Sequence, residues 1–405
     1  MSTATPLISI AEARELVLPE ARQLAAEHVD VEDALDRVLA EDLRAAADVP
    51  PFACSAMDGF AVRAGPAGRT LRVIGESRAG APSDDRIHDG EAIRISTGAA
   101  VPSGATAVIR QEDVTTAPDG AESRAIETHA AVRDGANIRR AGEDMLAEML
   151  VLRAGTTLRA AELGAAVAAG AARLSVTARP RVSIFCTGDE LRAPGDALGP
   201  GEIHNSNAPM ISALATHTGA EPCSVQRLRD DPATTEEALG RALERSDIVI
   251  VTGGISVGPH DHVKPALAAL GVAERFWGVS LQPGKPTWFG TRERTLVFGL
   301  PGNPVSAVVT FALFAYPAIA RMLGTLPPLH PSAALGEPIA RNPAREQAVR
   351  VRLERRDADV VAIPNGPQGS HILSSLLGAD ALALIPPGEG HLAAGEQVRL
   401  HPLPR

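Results

Sequence analysis

Five acidic residues sit in glycine- or serine-rich turns rather than on charged helix faces. They are Asp58 in "SAMDGFAVR", Asp144 in "RRAGEDM", Glu190 in "CTGDEL", Asp230 in "LRDDP" and Asp261 in "GGISVGPHDHVK". Each alone reads equally as an ordinary turn or cap residue, because Asp and Glu readily bond nearby backbone N–H groups. Glu190 and Asp261, however, follow apolar runs that read as buried strands, "RVSIFCTG" and "DIVIVTGG". Carboxylates gathered at strand ends can hold a divalent cation, which in turn bridges a phosphate. Glu190 and Asp261 are therefore the candidate metal ligands. Asp58, Asp144 and Asp230 complete the set of candidate catalytic acids.

Glycine turns supply the complementary half. "TGGISVG" leaves the second strand and places Gly253, Gly254, Ser256 and Gly258 where backbone can approach a ligand closely. In "GLPGNPVSA", Pro301 and Gly302 turn the chain, Asn303 is placed to cap a helix and Pro304 to start it. Such a corner aims unpaired helix N–H groups at an anion, or it is a plain strand-to-helix connection. Lys285 and Pro286 in "QPGKP" give a point charge on a stiff turn, suited to an oxyanion or simply to the surface. Ser374 and Ser375 in "SHILSS" offer hydroxyls, or an ordinary helix start. His260 and His262 flank Asp261 as solvent-facing turn residues, and Cys186 reads as a small core hydrophobe. No phosphate-binding P-loop and no dinucleotide fingerprint follows a strand, which argues against a P-loop kinase or a nicotinamide dehydrogenase.

These turns need a frame. From Arg181 onward strands and helices alternate, which implies a mostly parallel sheet with helices on both faces and ligands at the carboxyl ends of its strands. "DPATTEEALGRALERS" has Asp231 at the N-cap and Pro232 at the first helical position. Residues 5–44 and 158–170 carry apolar positions three and four apart and read as helical, whereas 45–145 holds short strand-like runs. A Pro-rich linker then leads to a β-rich end. The expected units are 1–44 with 146–177, an inserted 45–145, an α/β unit at 178–325 and a C-terminal unit at 326–405.

The chain has 405 residues, 45% hydrophobic and 22% charged, and a net charge of -10. This is the composition of a multidomain globular protein, and it disfavours nonspecific nucleic-acid binding. Three cysteines without metal spacing and no basic–apolar leader point to a cytoplasmic protein. Thr295 to Ala320 lacks charge, but "GLPGNP" interrupts it and Pro317 is expected to break its second half, so a buried strand–turn–helix is read rather than a membrane span.

In this order, "SAMDG", "RISTGAAVP", "RRAGEDM", "TGDEL", "IVTGGISVGPHD", "QPGKP" and "GLPGNPVSA" resemble the molybdopterin molybdenumtransferase family over about residues 8–400. The resemblance implies a multidomain α/β protein. Its centre is a three-layer α/β/α molybdopterin-binding-like domain, with a β-rich inserted domain, a helical N-terminal segment and a C-terminal β-barrel-like domain. It implies a homodimer with the cleft between subunits. The implied substrates are adenylylated molybdopterin and molybdate, the cation Mg²⁺, and the products AMP and molybdenum cofactor. The preceding adenylyltransferase and the proteins that mature molybdoenzymes are implied as further partners. By the same resemblance Thr97 joins the acids as a functional position, and Arg350, Ser374 and Ser375 become molybdate contacts. Cys54 stands where the family commonly has Asn, and Gln282 and Gly278 where it often has Lys, which implies an anion pocket with less positive charge. The readings set against this one are the adenylyltransferase, which is normally the α/β domain alone, and a non-catalytic scaffold.

Overall fold

The computed structural model describes residues 6–116, 125–229, 231–255, 262–325, 331–356 and 359–404. Five positions singled out above, Asp230, Ser256, Gly258, His260 and Asp261, lie outside the described residues.

Alternating burial builds the central unit. Val182, Ile184, Ile248, Ile250, Leu296 and Phe298 face one core with Ile211, Ala215 and the apolar helix after Pro304. Their neighbours Phe185, Val249, Val251 and Val297 face the other, with Leu239, Leu243, Val263 and Leu267. A sheet buried on both faces reads as continuous apolar runs, as these strands do. The strand order is Glu221–Leu228, Arg181–Thr187, Ile248–Thr252, Thr295–Leu300, Trp288–Arg292 and Ala273–Trp277. The first four are parallel, Trp288–Arg292 runs antiparallel to them, and Ala273–Trp277 pairs antiparallel with Trp288–Arg292. Helices Asn207–His217, Pro232–Arg245, Val263–Ala269 and the run from Pro304 to Leu323 cover it. Register sets Cys186 beside Thr252 and Thr252 beside Leu300, so three strands end level.

The helix from Pro304 to Leu323 is 20 residues, long and apolar enough to cross a membrane, and 89% of that stretch is buried inside the protein. Pro317 does not break it, contrary to expectation. The helix widens to a π turn over Phe311–Ala315 and continues. Proline has no N–H for the carbonyls of Leu313 and Ala312, four and five residues back. Arg14 Nε donates to Leu313 O at 2.9 Å and the buried His401 Nε2 meets Ala312 O at 2.7 Å. Side chains from the two ends of the chain thus replace the bonds that proline removes.

The helical reading of the N-terminus holds only for Ile10–Val17, capped by Ser9 and Glu12, and for Ala160–Ala168, ended by Gly170 at φ 95°. Pro19 closes the first helix: Leu18 still has helical geometry, φ -65° and ψ -36°, but proline has no N–H for the carbonyl four residues back. The apolar spacing after it was misread as helical. Ala26–Asp30 pairs antiparallel with Arg173–Thr177, and Ala34 and Leu39 reach their core with Leu158, Leu174 and Val176 through extended chain and a short 3-10 turn. Backbone bonds to a strand distant in sequence decide this, and spacing alone does not reveal them. Ile10, Ala13 and Val17 pack on the central core rather than on the second helix.

Between the paired arms lies a six-stranded mixed sheet in the order Ala107–Arg110, Gly59–Val62, Glu91–Ile95, Thr70–Ser77, Ala125–Thr128 and Val114–Thr116. At the C-terminal end Glu346–Arg356, Asp359–Pro364, Ser332–Leu335, Gln397–Pro402 and Ala381–Ile385 follow one another, and Ala381–Ile385 pairs back with Glu346–Arg356. The five strands close a barrel, which removes its edges.

Candidate functional site

Three strand-end turns meet above the central sheet. Gly253 and Gly254 take positive φ, 83° and 62°, and a β-carbon on either would lie 2.8 Å from Thr187 Oγ1. Gly302 packs on Gly253, where an added β-carbon would sit 3.7 Å from its Cα. Glycine is required at 253 and 254 by their positive φ and by the closeness of Thr187, while Gly302 meets Gly253 at ordinary van der Waals distance. Glu190 is exposed just beyond the first turn, and its carboxylate folds back over Gly188 so closely that a β-carbon there would come within 2.4 Å. Among the described residues no acceptor meets the N–H groups of Gly302 and Asn303. The corner therefore presents free donors at the start of a buried helix, as an anion site needs.

Pro304 starts that helix as expected, but Asn303 does not cap it with its side chain. Its Nδ2 donates instead to Ser370 Oγ at 3.1 Å, in the C-terminal unit. The same loop wraps Arg350, which is fully buried. Arg350 Nε donates to Ser375 Oγ at 3.1 Å, and Nη2 to the carbonyls of Pro367 and Gly369 at 3.3 and 3.2 Å. Among the described residues Nη1 has no partner and no carboxylate pairs with the group. Burial without countercharge pushes its pKa down to about 10, so it remains charged at neutral pH. A buried cation with an idle donor is costly unless an anion completes it. Ser375 is buried beside it and Ser374 is exposed. Arg350, Ser375, Asn303, Gly302 and Gly253 thus form one continuous wall.

Lys285 is exposed on its turn and Pro286 is half-buried. Gln282 accepts a hydrogen bond from Asn342 Nδ2, which joins the turn to the barrel. Gly278 takes φ 90° and packs on Leu7, where a β-carbon would meet Leu7 Cδ2 at 2.7 Å. Both departures thus have structural work, one as a strut and one as a left-handed turn closed to lysine.

A second group forms in the inserted sheet. Asp58 Oδ1 accepts from the backbone N–H of Thr97 at 2.8 Å, which joins two positions 39 residues apart. Asp144 is exposed, and with Val49, Pro50, Cys54, Arg139 and Glu143 it lines a cavity of about 510 Å³. Strand Cys54–Ser55 pairs with Ile138–Arg139 and so brings "SAMDG" beside "RRAGEDM".

Sequence reasoning missed Asn207 and Thr187. Asn207 is buried and its Nδ2 donates to Gly302 O at 2.7 Å. Nothing in "IHNSNAP" distinguishes it from an ordinary cap, and only the fold brings it to the corner. Another cavity at the opposite end of the sheet, about 440 Å³ between Arg181, Asp247, Arg292 and Thr295, lies at the amino ends of the strands and holds none of these groups.

Comparison with known proteins agrees with this anatomy along the chain. Residues 8–170 match the family described as MoeA N-terminal region (domain I and II), 183–321 the probable molybdopterin binding domain, and 332–403 the MoeA C-terminal region (domain IV). A molybdopterin molybdenumtransferase of Haemophilus influenzae is 34% identical over 387 residues, 93% of each chain. One from Staphylococcus aureus is 32% identical over 400 residues, covering 96% of this chain and 94% of its own. The crystal structure of the molybdopterin biosynthesis moeA protein from Pyrococcus horikoshii OT3 superposes with a TM-score of 0.79 at 32% identity, over 98% of this chain and 99% of that one. With sequence, domain order and fold in agreement over nearly its whole length, this chain belongs to the molybdopterin molybdenumtransferase family.

Proposed function

We propose that this chain inserts molybdenum from molybdate into adenylylated molybdopterin and that hydrolysis of the phosphoanhydride, dependent on a divalent cation, releases AMP. The observation that carries this reading is Arg350, a buried guanidinium with an unpartnered Nη1 and no countercharge, joined through Ser370 to a glycine corner of free N–H donors. That wall suits a tetrahedral oxyanion. Arg350, Ser374, Ser375 and Lys285 hold molybdate in this reading. Gly253, Gly254, Pro301, Gly302, Asn303 and Pro304 shape the phosphate and pterin side.

Among the described residues no three His, Cys, Asp or Glu side chains stand together as a metal site. Mg²⁺ does not need such a cage, because it keeps several waters and takes one or two carboxylates with substrate phosphates. The exposed Glu190 at a strand end, with Asp261 nine residues beyond Thr252 in the sequence, fits that donor set. When bound, the cation would neutralise phosphate charge and polarise the bond to be broken. Glu190 is exposed, and its tie to Ile203 N at 2.9 Å runs through its backbone carbonyl, so Glu190→Gln should fold normally and need at least about tenfold more Mg²⁺ for half-maximal turnover. An Mg²⁺ dependence identical to wild type would remove Glu190 from the metal site.

The active unit is a homodimer in this proposal. Phe52, Met57, Leu146 and Met149 are 49%, 43%, 60% and 50% exposed in the loops that carry Asp58 and Asp144. Water-exposed apolar side chains around functional acids suit a partner surface. A twofold partner would set its own strand-end turns against Asp58, Thr97 and Asp144. Three free cysteines agree with a cytoplasmic setting, where the adenylyltransferase would deliver substrate and maturation proteins accept the cofactor.

A further inference from the structure

We infer that Asn207 is a positioning residue for this site: its carboxamide fixes the Gly302–Asn303 peptide plane so that Asn303 N–H points at a bound oxyanion. The inference rests on the functional reading above and names how its anion wall is held in shape.

Asn207 is 8% exposed, and its Nδ2 donates to Gly302 O at 2.7 Å across 95 residues of chain. The assignment of nitrogen to that side follows from chemistry, since the carboxamide oxygen placed there would face a carbonyl oxygen. In a trans peptide the C=O of one residue and the N–H of the next point in opposite directions within one plane. Pinning Gly302 O toward Asn207 therefore turns Asn303 N–H away from it, and that N–H has no acceptor among the described residues. A peptide next to glycine is otherwise free to rotate, because glycine tolerates both signs of φ. Asn303 cannot secure the plane itself, for its side chain is engaged with Ser370. Nor is Asn207 needed to cap its own helix, since Asn205 Oδ1 already accepts from Ala208 N at 3.1 Å. Among the described residues Asn207 Oδ1 is buried without a partner, and the Gly302 bond is the one side-chain hydrogen bond this amide makes.

Two oxyanions fit such a donor, molybdate and the substrate phosphate, and two titrations separate them. Wild type, Asn207→Ala and Asn207→Asp are each titrated with molybdate and, separately, with AMP, with thermal melting as a fold control. For whichever anion uses the donor, Asn207→Ala should bind about tenfold more weakly. Asn207→Asp should be weaker still near neutral pH, because an ionised carboxylate repels Gly302 O. On acidification the Asp carboxyl gains a proton, can donate to Gly302 O and should recover affinity, whereas wild type and Asn207→Ala should show no such recovery. A purely space-filling role predicts the reverse order, with the isosteric Asp milder than Ala and no pH-dependent recovery. That pattern, or wild-type affinity for both anions in both variants, overturns the inference. If wild type binds neither anion, it is the functional reading that fails.

Discussion

Replacing Arg350 by methionine should cost this protein roughly a hundredfold or more in molybdate affinity while leaving its melting temperature close to wild type. The guanidinium offers an oxyanion a charge and a free Nη1, and charge-assisted hydrogen bonds contribute about 1.5–3 kcal/mol each. Stability responds differently. Burial lowers the folded pKa below that of the exposed unfolded side chain, so the charged form is penalised on folding and the penalty is relieved only as pH rises through about 10. Methionine removes that penalty, which offsets the bonds lost to Ser375, Pro367 and Gly369. Arg350→Lys keeps the charge without the planar fork and should bind molybdate with intermediate strength. In wild type, affinity should be insensitive to this group at neutral pH and fall as pH rises through about 10. Calorimetric titration beside thermal melting checks the whole set. Wild-type molybdate affinity in Arg350→Met would take Arg350 out of the site.

Asp58→Asn and Asp261→Asn proteins, each inactive alone, should recover activity when their subunits are mixed. Asp58 stands in the inserted unit beside Thr97, whereas Asp261 follows strand Ile248–Thr252 of the central sheet in the sequence. With clefts shared across a twofold dimer, a mixed dimer carries both lesions in one cleft and none in the other. Random exchange makes about half the dimers mixed, so up to roughly a quarter of wild-type activity returns. If each cleft were built within one chain, every cleft would carry one lesion and nothing would return. A mixture with verified subunit exchange and no activity therefore contradicts the shared cleft.

What could be read from residue order was whatever depends on local pattern. Apolar runs ending in "TG", "TGG" and "GLPGN" place three turns at strand ends, and the structure stacks Thr187, Gly253 and Gly302 there. Pro304 as the first helical residue and Asp231 as a cap, accepting from Thr234 N at 2.8 Å, are equally local. What stayed hidden depends on contacts between distant segments. Val31, Ala34 and Val38 lie three and four apart, yet pairing of Ala26–Asp30 with Arg173–Thr177 and a bridge from Leu39 to Val176 keep that stretch from forming an α-helix. Pro317 has every mark of a helix breaker, but Arg14 and His401 satisfy the carbonyls it orphans. Gly278 and Gln282 looked like missing charges. One is a left-handed turn against Leu7, and the other a tie to Asn342. The idle Nη1 of Arg350 and the Asn207–Gly302 bond require the assembled fold to be seen at all.

The most direct test of the functional claim is to incubate the purified protein with adenylylated molybdopterin, molybdate and Mg²⁺, and to count AMP released against molybdenum bound to the pterin. One AMP is expected per molybdenum inserted, with release that requires Mg²⁺ and with no insertion when molybdate is left out. Transfer of AMP from ATP onto molybdopterin would instead make the chain an adenylyltransferase. Neither AMP release nor insertion, from a folded protein with intact substrate, would contradict the catalytic reading and leave a scaffold.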